Sequence, residues 1–232
     1  MPTIEVVVFP LAEGADIGDP DSNAAKVLSE NIDLIKQQPG AQGVHFGLQI
    51  ENSSLLQLFI STSTASILRA AFTDHLKVWE SIDAHKKFQG SESYGPFQKK
   101  FGQILASKPT IVHVDFEPYS SVATALGAPC TEVASFYFNG TPPKSYVSDA
   151  LKIEPVLKQH AAGYIGGALG VSYEELERDG VKGQVGVLVL GWESKAKHME
   201  FRETSAFREN IGMLRGESKG IEMHHVQFME AV

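Results

Sequence analysis

Hydrophobic and polar positions along the chain fall into one pattern, met twice. Residues 4–9 form a β-branched run, as a half-buried strand does. Asp21-Ser22 then offers an N-cap for a helix on which Leu28, Ile32 and Ile35 share a face, with Pro39-Gly40 as its stop. Residues 43–51 alternate as a second strand, and Leu76 to Trp79 end a third. Ser81 caps a short helix, Ser91 or Ser93 starts another through Phe97, Phe101 and Leu105, and residues 110–116 form the last strand. The order is β-α-β-β-α-β.

The second half repeats it: a strand at 133–138, a helical stretch to about His160, strands at 163–171 and 185–192, helices after Ser194 and Thr204, and a strand at 221–228. Pro155 breaks any single helix across 148–160, so that element is kinked or begins at Glu154.

The letters repeat along with the pattern. Trp79-Glu80-Ser81, His85 and Phe88 recur as Trp192-Glu193-Ser194, His198 and Phe201, each pair 113 positions apart. Glu5-Val6 answers to Glu132-Val133, Gly43 and Gly47 to Gly163 and Gly167, and His113-Val114-x-Phe116 to His225-Val226-x-Phe228. The first copy has about seven more residues between its second glycine and its tryptophan, room for an extra helical turn near Ala65–Ala71. The expected fold class is α+β: tandem ferredoxin-like βαββαβ repeats, 1–117 and 131–232, joined by a connector at 118–130. Strands apolar on both faces, such as 185–190, need a second layer, so the two sheets are expected to cover each other as an intramolecular dimeric-type α/β barrel. The chain then already contains what a dimer would supply, and a monomer or weak homodimer follows.

Composition narrows the partners. The first 120 residues carry 9 Lys and Arg against 14 Asp and Glu, the rest 11 against 14, so neither half offers the basic surface that nucleic acid or an anionic membrane requires. The single cysteine, Cys130, forms no intramolecular disulfide, no secretory signal precedes the first strand, and no apolar run reaches membrane-spanning length; the cytoplasm is the expected location. There is no His-Glu-x-x-His or Cys-x-x-Cys, and adjacent His224 and His225 point apart on a strand, so no metal is expected. The glycines of 163–170 lack the lysine and serine of a phosphate loop and read as close-approach positions in a strand.

The Trp-Glu-Ser-x-x-x-His-x-x-Phe segment, followed by Ser-x-x-Tyr (Ser91 to Tyr94), resembles the third-strand-to-helix segment of dimeric α/β-barrel proteins, in particular the antibiotic-biosynthesis-monooxygenase-like group. The resemblance implies an enzyme of secondary metabolism: a cofactor-independent monooxygenase or a polyketide cyclase acting on an aromatic or polyketide-like molecule. It also implies that Trp79 and Trp192 line a pocket; Tyr94 and His198 are the further substrate-binding candidates. Haem-degrading relatives use a histidine on the second helix, and residues 91–98 and 204–210 have none, so no haem cofactor is expected.

Each candidate has two readings. The tryptophans are substrate-stacking walls or plugs between strand and helix. His85 and His198 are surface histidines or bases aimed into a pocket. His45, His75 and His113 line a cavity of the first copy, or face solvent or the seam between sheets. If the protein is catalytic, His85, His75 or His45 is the base and the first copy holds the pocket. The alternative is a ligand-binding or stress-response protein on the same scaffold.

Overall fold

The computed structural model describes residues 3–38, 41–62, 88 and 90–231. Contacts divide the chain into two compact units: Met1–Leu48, Asn52–Ile111 and Glu230–Val232 form the first, and Gln49–Glu51 with Val112–Met229 the second.

In the first unit, β1 (Ile4–Pro10) and β2 (Ala41–Leu48) flank β3 (Leu55–Thr62), both antiparallel to it, with Val7 opposite Leu58 and His45 opposite Phe59. Alternation sends Val7, Phe9, Val44, Leu56, Leu58 and Ile60 to one face, where they pack against Val27, Leu28, Ile32 and Ile35 of α1 (Asn23–Lys36) and Phe101 of α2 (Tyr94–Phe101). The N-cap of α1 is Ser22, whose Oγ accepts the Ala25 N–H at 2.9 Å. The third strand lies at Leu55–Thr62, earlier than the strand ending at Trp79 that the repeat register suggested; Leu76 to Trp79 and the extra turn at 65–71 lie outside the described residues. The strand β4 (Thr110–Val114) opens in this unit and closes in the second.

The second unit shows the order β8 (Gly220–Val226), β5 (Cys130–Tyr137), β7 (Val181–Trp192), β6 (Tyr164–Arg178), the 4-1-3-2 arrangement of a ferredoxin-like unit. The β6–β7 hairpin is longer than expected and turns at Asp179-Gly180, both at positive φ (49° and 78°), as a two-residue turn between right-twisted strands requires. As Pro155 demands, the intervening helix is broken into α3 (Tyr146–Ala150), a 3-10 turn (Leu151–Ile153) and α4 (Glu154–His160), with the proline in the first turn. Ser194 and Thr204 cap α5 (Lys195–Arg202) and α6 (Ser205–Arg215) by accepting the N–H groups of Lys197 and Phe207. These helices bury Tyr146, Ile153, Leu157, Phe201 and Leu214 against Phe136, Leu188, Leu190 and Trp192.

The segment read as a bare connector is not bare. Its helix α7 (Ser120–Leu126) packs on the sheet face opposite the other helices, where Thr131 Oγ1 donates to the Ala125 carbonyl at 2.7 Å. Glycines permit the close approaches on this face: a Cβ at Gly191 would meet Ala128 at 2.9 Å and Ala125 of the helix at 3.0 Å, and one at Gly170 would lie 2.3 Å from the Asp115 carbonyl oxygen just before it. Backbone does not yield to a methyl group as a side chain does, so Gly170→Ala is expected to lower unfolding free energy by about 2 kcal/mol or more. Gly212, a helical position with open space around it, should gain about 0.5–1 kcal/mol on substitution by alanine. Urea unfolding of the two variants checks the opposite signs; equal effects would remove the close-approach explanation of the glycine run.

Candidate functional sites

The first unit has an open cavity of about 360 Å3 between its sheet and helices. Alternation on β1 presents Glu5, Val7 and Phe9 to it, β3 adds Ile60, α1 adds Ile35, and α2 adds Tyr94, Phe97 and Phe101. The rings form a ladder: Phe88 meets Tyr94 edge-on at 5.3 Å, Tyr94 stacks on Phe97 at 6.0 Å, Phe97 on Phe101 at 5.6 Å, and Phe101 leans on Phe9 at 4.5 Å. Among the described lining residues the charged groups are Glu5 and Lys108. Such a wall suits a flat, mostly apolar molecule with one polar edge.

Of the residues named from sequence, Tyr94 lines this cavity. His45 does not: its neighbours Val44 and Phe46 pack on the helix side of β2, so the imidazole projects to the other face, where burial lowers its pKa against the pull of Glu230. Trp79, His75 and His85 lie outside the described residues.

Trp192 and His198 meet in the second unit, in a cluster that sequence reasoning did not assemble. Alternation on β5 puts Glu132 on the helix face between Cys130 and Ala134, and Trp192 ends β7 opposite Cys130. The cap at Ser194 fixes the start of α5, so that His198, one turn in, stacks on the indole at 4.8 Å and 19°. Trp192 Nε1–H donates to Glu132 Oε2 at 3.1 Å, and His198 Nε2 lies 3.3 Å from the same oxygen. The other ring nitrogen, Nδ1, is 2.7 Å from Nε2 of His225 on β8. His225 in turn meets Glu51 twice, backbone N–H to Oε2 at 2.8 Å and Nδ1 to Oε1 at 2.6 Å, and Lys195 closes the row 2.8 Å from Oε1. Trp192 and His225 are fully buried, and His198 and Glu132 nearly so.

Burial sets the charges. It pushes Glu132 up to about 7, against the Trp192 hydrogen bond and the positive charge of Arg202. It pulls His198 down to about 3, helped by His225 and Arg202. Burial opposes ionisation of Glu51 too, but hydrogen bonds from Lys195 and from the backbone and ring of His225 outweigh it and hold the carboxyl at about 2. A cavity of about 70 Å3 opens on this cluster, walled by Phe136, Leu190, Trp192, Phe207 and Ile211, with Arg202 and Arg215 at its edge.

His113 makes the same double contact with Glu174 that His225 makes with Glu51: backbone N–H to Oε2 at 2.7 Å and Nδ1 to Oε1 at 2.7 Å. The paired His-Val-x-Phe letters were the signal for this; the glutamates, 61 and 174 residues away, gave none. Among the described residues no three His, Cys, Asp or Glu side chains are placed to hold a metal ion. Helices α2 and α6 carry no histidine or cysteine, and the imidazole that α5 brings to the narrow cavity, His198, already has both ring nitrogens engaged by Glu132 and His225.

No family model and no curated protein matches the sequence. Solved structures do match in shape. An anthrone oxidase-like protein superposes with a TM-score of 0.63 at 14% identity, over 99% of this chain and 92% of that one. A monooxygenase candidate from Fusobacterium nucleatum gives 0.53 at 12%, over 98% and 92%, and a candidate chlorite dismutase 0.50 at 16%, over 97% and 95%. At these identities the likeness is one of fold, and the fold is the dimeric α/β barrel. No helix among the described residues is long and apolar enough to cross a membrane.

The cluster titrates with opposing signs. Glu132, about 4.5 unfolded and 7 folded, makes stability fall as pH rises between those values, by about 3 kcal/mol in all. His198, about 6.5 unfolded and 3 folded, makes stability fall as pH drops from 6.5 to 3. The two nearly cancel between 4.5 and 6.5. Glu132→Gln should therefore expose a steep loss of stability on acidification, and His198→Gln a gain over the same range. Urea midpoints at half-unit pH steps measure both; parallel curves for the two variants would mean neither group is buried as described.

Proposed function

We propose that the protein is an enzyme that binds a small flat aromatic or polyketide-like molecule in the first unit's cavity and oxygenates it with dioxygen directly. The observation that carries this is the cavity itself: about 360 Å3, a ladder of aromatic rings, and a carboxylate, Glu5, on its floor. The fold shared with an anthrone oxidase-like protein supports the substrate class.

The chemistry asks little of the chain. An electron-rich anthrone or phenol loses a C–H or O–H proton to a base, and the electron pair left on the substrate reduces dioxygen. For an anthrone, one oxygen atom becomes the new carbonyl oxygen and the other leaves as water with the two methylene hydrogens. Glu5 is the described group in the cavity able to take the proton, and the apolar rings exclude the water that would quench the anion. His75 and His85 are the alternative bases named by the sequence.

Anthrone and an oxygen electrode test the reading. One dioxygen should be consumed per anthraquinone formed, with Glu5→Gln lowering kcat about 100-fold at little cost in KM and Phe97→Leu raising KM about 10-fold. If His75→Gln or His85→Gln, and not Glu5→Gln, removes activity together with a pH dependence near 6.5, a histidine is the base. Binding without oxygen uptake would favour the ligand-carrier alternative. Neither binding nor uptake would leave the cavity without this role.

A further inference from the structure

We propose that the second unit holds a separate proton-transfer site, in which Glu132 is the general base for a small phenol or enolisable carbonyl compound and His198, His225 and Glu51 form the relay that empties it of its proton. This stands apart from whatever the first unit's cavity binds.

The argument is a count of protons. Three contacts link the row: Glu132 to His198, His198 to His225 at 2.7 Å, and His225 to Glu51 at 2.6 Å. Each joins two groups that can both accept, so each needs one proton between them. Of the arrangements that place three protons this way, two matter here. In one, Glu132 is protonated toward His198 Nε2, His198 carries its proton on Nδ1 toward His225, and His225 carries its own on Nδ1 toward the Glu51 carboxylate. In the other, the Glu132 proton has passed to His198 Nε2 and the His198 Nδ1 proton to His225 Nε2. Glu132 is then a carboxylate, and His225 is an imidazolium held by Glu51. The protons shift, no net charge enters or leaves, and no hydrogen bond is lost.

The second arrangement gives an apolar site an ionised carboxylate that burial alone would forbid. Its counter-charge is two imidazole rings away, where Glu51 and Lys195 are partly exposed. Groups facing the row from each packed element are compatible: Trp192 on β7 donates to Glu132, Arg202 on α5 and Arg215 on α6 edge the cavity, and His224 on β8 is held neutral by burial, with a pKa of about 4. The arginines supply a resting place for a phenolate or enolate oxygen. The step is balanced: the substrate O–H or C–H bond breaks, its electron pair stays on the substrate, and the proton goes to the Glu132 carboxylate.

The probe is 4-nitrophenol, whose phenolate absorbs in the visible. Measured in the Glu5→Gln background, which removes the carboxylate of the first unit's cavity, the bound probe should be ionised beyond the free phenol at the same pH and should lose that excess when Glu132→Gln is added. Glu51→Gln should weaken the signal about 10-fold or more by removing the anchor of the imidazolium, with Lys195→Met as the control that leaves the carboxylate in place and changes it less. In parallel, 15N NMR of the histidine rings should show His198 protonated on Nδ1 without ligand. A phenolate signal indifferent to Glu132→Gln, or His198 protonated on Nε2 with its tautomer unmoved in Glu51→Gln, would overturn the proposal, and so would no binding of the probe at millimolar concentration.

Discussion

A carboxyl group buried on the helix face of a sheet is the constraint around which the second unit is arranged. Left alone there, Glu132 would cost several kcal/mol in lost hydration, whether it ionised or merely lacked partners. The indole of Trp192 gives it a hydrogen bond and a flat neighbour, and His198 stacks on that indole within reach of the same oxygen. His198 needs a partner for its second nitrogen and finds His225, and His225 is fixed at backbone and ring by Glu51. Each residue answers a demand made by the one before it.

In the second unit the repeated letters each have a task. Trp192 donates to the carboxylate, Ser194 sets where α5 begins, His198 one turn later reaches the row, and Phe201 completes the core beside them.

Element types and their order were legible because they rest on local signals: the caps at Ser22, Ser194 and Thr204, the alternation in β2, and Pro155 in its helix. The strand at Leu55–Thr62 went unnamed because the repeat register was followed past a loop-length difference, although its own apolar run signalled a strand. The helix α7 was missed because Ser, Ala and Gly in 118–130 read as a linker, and only its small side chains against Gly191 and Gly166 show why they are small. The candidate sites were legible in part. Trp192, His198 and Tyr94 were singled out, yet Glu51 and Glu174 sit just past strands or at their bends, and nothing local distinguishes them from solvent-facing acids.

The two units thus carry different cavities on one plan, a wide aromatic one over Glu5 and a narrow one over Glu132. The claim beneath the account of the narrower one is that Glu132 carries a proton near neutrality. Carbon-13 NMR of side-chain-labelled glutamate, assigned by comparison with Glu132→Gln, reads that directly. The account predicts one carboxyl titrating at about 7; a Glu132 carboxyl that titrates at about 4.5, as an exposed glutamate does, would contradict it.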